Sequence, residues 1–299
     1  LQGREREFID SHRKAGPFTP DGILAGNELY EMVSTPPNYD SVAYPFFGLN
    51  KMTKGMRTGE LVTFVAGTGV GKTQVMRELL YHLIQEDKGS VGTLFLEEPV
   101  RDTGLGMMSI HADKMLHLPD TQYTKEEFDD AYNATLGSNR VYLYDSFGSN
   151  SVERIVSMVR YLARSCDCKY IILDHISIVV SDHAKDERKA LDEIATKLKT
   201  LTIELDICLL MVSHLNRDKN RKPPEEGGTI NLQDIRGTAG IGQLSNMIIA
   251  LERNTQAEDE LERNTTKVRV IKNRFTGETG VADSLLYSRH TGRLTSYEG

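Results

Sequence analysis

The sequence predicts an α/β fold, a mostly parallel sheet flanked by helices and extended by antiparallel strands toward the C-terminus. Three observations carry this. Five strand-length runs, LVTFVA (61–66), VGTLFL (91–96), RVYLYD (140–145), KYIILD (169–174) and ICLLMV (207–212), are apolar enough to suit strands buried on both faces of a parallel sheet. Amphipathic stretches separate them, and repeated strand–helix alternation reads as an open α/β sheet. After Met247 the helices stop, and MIIALE, KVRVIK and VADSLLYS follow as strands in succession, the texture of an antiparallel extension.

From the N-terminus, residues 3–14 (GREREFIDSHRK) alternate charge at helical spacing and offer only Phe8 and Ile9 as large apolar groups. Such a helix cannot bury itself on its own domain; it is solvated or docks on a partner. Residues 34–45 (STPPNYDSVAYP) are Pro- and Ser-rich and read as a linker, which divides the chain into an N-terminal segment, 1–45, and a main domain, 46–299. Within that domain QVMRELLYHLIQ is helical. SVERIVSMVRYLARS (151–165) sets Ile155, Val156, Val159 and Leu162 on one face, with Asn150 and Glu153 spaced as a capping box. Residues 186–206 repeat Leu191, Ile194, Leu198, Leu201 and Leu205 along one stripe.

Composition narrows the function classes. The 299 residues are 39% hydrophobic and 26% charged, which excludes wholesale disorder and suffices for a sizeable core. No apolar run nears the roughly 20 residues of a membrane span and no signal peptide is visible, which points to a cytoplasmic protein without membrane contact. The three cysteines, Cys166, Cys168 and Cys208, are too few and too odd in number for a disulfide framework and make a poor zinc set, so the expected compartment is reducing. A leading Leu1 in place of Met suits a piece of something longer. Thirty-six basic against 43 acidic residues leave a net charge of −7. That argues against a basic shell around duplex DNA, while a confined basic channel remains open.

The strongest motif is AGTGVGKT, residues 66–73, straight after one apolar strand and straight before a helix. A phosphate-binding loop needs this context, because glycines let backbone N–H groups wrap a phosphate chain at a helix N-terminus. Gly67, Thr68, Gly69, Val70 and Gly71 would form the cradle, Lys72 would reach the β- and γ-phosphates, and the Thr73 hydroxyl would bind Mg²⁺. Asp174 ends YIILD at the carboxyl end of a strand, where such sheets hold ligands, and is the expected second metal-side group. Glu97, in LFLEEPV, emerges beside the loop as the expected base for water, whereas Glu98, followed by Pro99, reads as a helix start.

These residues together resemble the ring-shaped replicative helicases of the DnaB type, and more closely the helicase half of bacteriophage primase–helicases. The resemblance runs from FGLNKMTKGMRTGELVTFVAGTGVGKT through LEE, ILDHISIVVS, DERK, SHLNR, DIRGTAGIGQLSN, ALERN and KNRFTGETG. It implies a RecA-like motor with ATP or dTTP as substrate. It matches His214 to the γ-phosphate sensor, Arg274 to an arginine finger reaching a neighbour's nucleotide with Lys272 beside it, and Arg253 and Tyr287 to the positions that sandwich the base. A finger of this kind makes hydrolysis depend on assembly.

Two loops are expected on nucleic acid. NRDKNRKPPEEGG (216–228) carries Arg217, Lys219, Arg221 and Lys222, and DIRGTAG carries Arg236 and Gly237 where the family has a central-channel loop. Neither interleaves aromatics, which favours backbone contacts over base stacking. Gly242 departs from the phage pattern, which often has a second arginine before QLS. The implied protein is a homo-hexamer translocating 5′ to 3′ on single-stranded DNA, its N-terminal helix docked on the next subunit, beside a replisome polymerase and with any primase segment upstream. The alternatives are a RecA-type strand-exchange filament and a non-catalytic, nucleotide-gated assembly.

Overall fold

The computed structural model describes residues 24–35, 41–86, 88–146, 151–177, 187–216, 222–235 and 239–297. The charged segment 3–14 and the candidates Arg217, Lys219, Arg221, Arg236 and Gly237 lie outside the described residues. The chain divides into two compact units, Leu1–Tyr39 and Asp40–Gly299. In the first, a 3₁₀ turn, Gly26–Leu29, leads into the short helix α1 (Tyr30–Ser34), with Tyr30, Met32 and Val33 exposed.

The second unit begins a few residues ahead of the expected boundary at 46. The reason is burial: Val42 and Tyr44, inside the supposed linker, are core residues, and β1 (Ser41–Val42) pairs antiparallel with β2 (Met56–Arg57). Between them lies α2 (Phe47–Thr53), whose first turn receives a carboxylate from afar, with the Gly48 and Leu49 amides donating to Asp283 at 3.1 and 2.5 Å.

Among the described residues, nine strands form one sheet in the order β11-β10-β9-β8-β3-β7-β6-β4-β5. The strands are β3 (Leu61–Ala66), β4 (Ser90–Phe95), β5 (Val141–Leu143), β6 (Cys168–Asp174), β7 (Cys208–His214), β8 (Met247–Glu252), β9 (Thr265–Asn273), β10 (Gly280–Tyr287) and β11 (Leu294–Ser296). From β5 to β8 every neighbouring pair is parallel; β8–β9, β9–β10 and β10–β11 are antiparallel. MIIALE was expected in the antiparallel extension, yet as β8 it runs parallel to β3. The chain returns from β7 through a long connection that includes a short helix, so it re-enters the sheet in the same direction.

Alternate residues of each central strand go to opposite sides. Val62, Phe64 and Ala66 join Val75, Met76, Leu79 and Leu83 of α3 (Lys72–Gln85) and Met107 of α4 (Val100–Ala112). Leu61 and Val65 join Ile155, Val159 and Leu162 of α6 (Val152–Ser165) and Leu191, Ile194, Leu198 and Leu201 of α7 (Glu187–Glu204). Both faces are therefore covered, as the continuous apolar runs required. The helix α5 (Lys125–Ala134) packs outside α4 through Ala131 and Phe128. The cap of α6 is Ser151, which accepts from the Arg154 amide at 3.2 Å; the expected Asn150 lies outside the described residues. Cys168 and Cys208 are buried packing residues, and burial pushes the Cys168 thiol up to about 12. No helix among the described residues is long and apolar enough to cross a membrane.

Candidate nucleotide site

Parallel strands place their carboxyl ends on one edge of the sheet, and register shows which residues meet there. Ala66 lies level with His214 of β7 and Leu251 of β8, while Phe95 lies level with Asp174. The loop after β3, Gly67–Gly71, runs along this edge into α3. Gly69 and Gly71 hold φ of +73° and +97°, the left-handed region that favours glycine, and Gly71 leads directly into the α3 N-terminus. Thr68 is exposed at the mouth and Val70 is buried beneath it, anchoring the loop.

Lys72 leads α3, its ammonium donating to the Gly67 carbonyl at 3.4 Å. Burial lowers its pKa, and the neighbouring Asp174, Glu97 and Glu225 carboxylates oppose that fall. Thr73 donates its hydroxyl to Asp174 Oδ2 at 2.9 Å. Asp174 itself is buried, and burial pushes its carboxyl up to about 6 despite the Thr73 bond. Its other oxygen, Oδ1, is buried without a hydrogen-bond partner among the described residues. An orphaned carboxylate oxygen beside a threonine hydroxyl is a hard oxygen donor set, and it fits Mg²⁺.

Glu97 follows β4 with its side chain half exposed, and Glu98 is held away from it: Arg77 of α3 donates to Glu98 at 2.6 Å and Thr103 at 2.7 Å. The two adjacent acids thus divide: Glu98 is pinned to the scaffold, while Glu97 meets His175 and lies near enough to Lys72 to oppose the fall in its pKa. His214 closes β7 on the same edge. One residue escaped the sequence reading. His175 is buried directly after Asp174, touches Glu97 at 2.6 Å, and packs its ring on His214 with centroids 3.9 Å apart. Its signal was its place one step past a strand-end aspartate, within ILDHISIVVS.

A cleft of about 460 Å³ opens beside the loop, lined by Gly67, Thr68, His214, Lys222, Pro224 and Glu225. Glu225 was also missed. A methyl group on Gly67 would lie 2.7 Å from its carboxylate oxygen, so the residues after Lys222 fold against the phosphate loop. Lys222 is exposed at this cleft.

The remaining candidates separate. Arg253, after β8, and Tyr287, ending β10, come together at the carboxyl edge, the guanidinium lying 5.8 Å from the ring centroid. Burial lowers the Arg253 pKa, and its Nε donates to the Arg263 carbonyl at 2.7 Å, which fixes the side chain. Arg274 and Lys272 sit at the opposite edge. The Arg274 amide donates to the Asn246 carbonyl at 2.9 Å, at the start of β8, whereas Ala66 is level with Leu251 at its end. That is roughly 16 Å along the strands and about 10 Å across them from the phosphate loop, at about 3.3 Å per residue and 4.8 Å per strand. Both cations rest on the C-terminal carbonyls of α8 (Ala239–Leu244): Lys272 donates to Gly242 at 2.5 Å and Gln243 at 3.0 Å, and Arg274 donates to Gln243. Burial and the Arg274 charge bring Lys272 down to about 8.

Comparison with known proteins identifies the family of the chain. The chain is 34% identical over 310 aligned residues to the DNA helicase/primase of Enterobacteria phage T3, covering all of this chain and 54% of that protein. It is 24% identical to the replicative DNA helicase DnaB of Helicobacter pylori (strain J99) over 215 residues, 70% of this chain and 43% of that one. The chain thus spans about half the length of the curated relatives it matches. A solved DnaB-like replicative helicase, described with its interactions with primase, superposes with a TM-score of 0.74 at 20% identity, covering 98% of this chain and 71% of that one, a likeness of fold. The model of the DnaB-like helicase C-terminal domain matches residues 41–296, nearly all of the second compact unit. The chain therefore belongs to the DnaB-like helicase C-terminal domain family, the family of replicative DNA helicases.

Proposed function

We propose that this chain is the motor of a replicative DNA helicase, a homo-hexameric ring that hydrolyses ATP or dTTP between subunits and translocates 5′ to 3′ on single-stranded DNA. The observation that carries the reading is the split between the sheet edges. Lys72, Thr73, Asp174, Glu97 and His214 converge on one edge, while Arg274 lies beyond the reach of its own phosphate loop. An arginine that serves this chemistry from the far edge must serve a neighbour's nucleotide, so a complete site needs two copies.

Within each site the backbone amides of residues 67–71 and Lys72 hold the phosphates, and Thr73 and Asp174 hold Mg²⁺, which neutralises phosphate charge when bound. Glu97 orients and deprotonates the attacking water, the neighbour's Arg274 with Lys272 stabilises the charge developing on the transferred group, and His214 reports loss of the γ-phosphate. Arg253 and Tyr287 clasp the base; their pairing at the carboxyl edge supports this. The loops carrying Arg217, Lys219, Arg221 and Lys222, and Arg236 with Gly237, line the channel and contact the DNA backbone. Lys222 at the mouth of the phosphate cleft favours a link between the two. Residues 1–45 dock on the adjacent subunit, and the ring works beside a polymerase in the host cytoplasm.

Mg²⁺-dependent hydrolysis should rise on adding single-stranded DNA, and forked duplex should be unwound. Hydrolysis indifferent to DNA, with no unwinding, would overturn the reading. Arg274→Ala should bind nucleotide but not turn it over, and mixing it with Lys72→Ala subunits should restore part of the activity, because each supplies what the other lacks. Long helical filaments in electron micrographs would instead support the strand-exchange alternative.

A further inference from the structure

We infer that His175 is the positioning residue for the water-activating carboxylate, and that it links that carboxylate to the sensor His214. The inference rests on the proposed roles of Glu97 and His214 and goes beyond them, since it assigns a role to the residue that follows Asp174.

Glu97 stands where a base must be held still, yet its side chain is 52% exposed on a connection just past the end of β4. A carboxylate so exposed explores several rotamers, and only one puts an oxygen in line with a γ-phosphate. His175 removes that freedom. Its own side chain is 6% exposed, fixed at the end of a central strand, and its Nε2 lies 2.6 Å from Glu97 Oε1. An ionised carboxylate has no proton to give, so the imidazole Nε2 carries the hydrogen and donates it. One carboxylate oxygen is thereby held and the other is left for water. An ion pair with such an exposed partner adds little to stability, so keeping the histidine there is better explained by orientation than by folding.

The other face of the imidazole meets His214, with ring centroids 3.9 Å apart at 58°. Glu97, His175 and His214 each offer a side-chain atom within 4.8 Å of the others. A displacement of the His214 ring must therefore be felt by His175, because packed side chains transmit shifts rather than absorb them. Loss of the γ-phosphate at His214 would loosen the hold on Glu97, and water activation would be tied to the presence of the group that water attacks.

The test compares two variants that fill the buried space differently. His175→Leu occupies the site without a donor; His175→Gln keeps an N–H near the Nε2 position. In DNA-stimulated hydrolysis, His175→Leu should lower kcat about 10- to 100-fold, the size expected when the group orienting a reactive residue is removed, with KM and fluorescent-nucleotide affinity within about twofold. His175→Gln should recover to within about threefold of wild type. Equal activity in the two variants, or a loss of nucleotide affinity matching the loss of kcat, overturns the proposal. Glu97→Gln, assayed alongside, separates the readings. Turnover surviving in Glu97→Gln removes Glu97 as the base and this proposal with it; turnover lost there but kept in His175→Leu removes this proposal alone.

Discussion

Asp174→Asn should make the protein more stable in EDTA without nucleotide, and the expected gain follows from the site's geometry. The Asp174 carboxyl is buried, Oδ1 has no hydrogen-bond partner among the described residues, and burial pushes its pKa from 3.8 to about 6, with the Glu97 and Glu98 charges adding to the rise and Thr73 and Lys72 opposing it. The native state therefore holds this proton more tightly than the unfolded chain does. Stability falls as pH rises between about 4 and 6 and stays reduced above that window. A separation of about two pH units corresponds to about 3 kcal/mol. The asparagine amide would still place its NH₂ in the unpaired position, returning about 1 kcal/mol. The net gain at pH 7.5 is about 2 kcal/mol, or roughly 4–8 °C in Tm. At pH 5, where the native carboxyl is largely protonated already, the gain should shrink to under about 1 kcal/mol. Thermal melts of both proteins at the two pH values in EDTA provide the measurement. A lower Tm for Asp174→Asn at pH 7.5, or a gain that ignores pH, refutes the reasoning. Mg²⁺ with nucleotide should reverse the order, because only the wild type gains stability by binding them.

Three further outcomes are expected. Gly48→Ala would bring a methyl group 1.8 Å from the Ala282 carbonyl oxygen, forcing α2 away from β10 and off its Asp283 cap. Urea unfolding should show a loss of about 2–4 kcal/mol, and an unchanged midpoint would rule out this packing. Arg253→Ala or Tyr287→Ala should raise KM for NTP about tenfold with kcat within about twofold, because a base clasp binds ground and transition states alike; a matching fall in kcat would argue against that role. Glu98→Ala strips the partner from the half-buried Arg77 and should cost about 1–3 kcal/mol in chemical denaturation, with wild-type stability as the contrary result.

The path from sequence to this site was uneven for physical reasons. The phosphate loop and its helix were legible because they are contiguous, and the positive φ angles at Gly69 and Gly71 are backbone demands that local sequence states directly. Four of the five apolar runs became buried strands, β3, β4, β6 and β7, whereas RVYLYD forms the edge strand β5 with Tyr142 exposed, because an edge position has a neighbour on one side alone. Strand direction was less legible. MIIALE reads alike in a parallel or an antiparallel neighbour, and only its pairing with β3 makes it parallel. Likewise SVAYP looked like linker by composition, while Val42 pairs with Met56 and Tyr44 is buried with its hydroxyl on Met247, far along the chain.

By itself, then, the sequence determined the class of fold, the glycine-rich turn from β3 into α3 and the acids at the strand ends, since each depends on neighbours a few positions away. The tertiary structure alone decided what those groups meet. It set Thr73 on Asp174 across 101 positions of sequence and His175 on Glu97 across 78, and it pinned Glu98 to Arg77 and Thr103. It also sent Arg274 to the far edge of its own sheet, because β9 runs antiparallel to β8 and so carries its C-terminal end back to where β8 begins. Chain direction through the sheet is a property of topology rather than of any local segment, and it is what parts this arginine from the glycine-rich loop of its own chain.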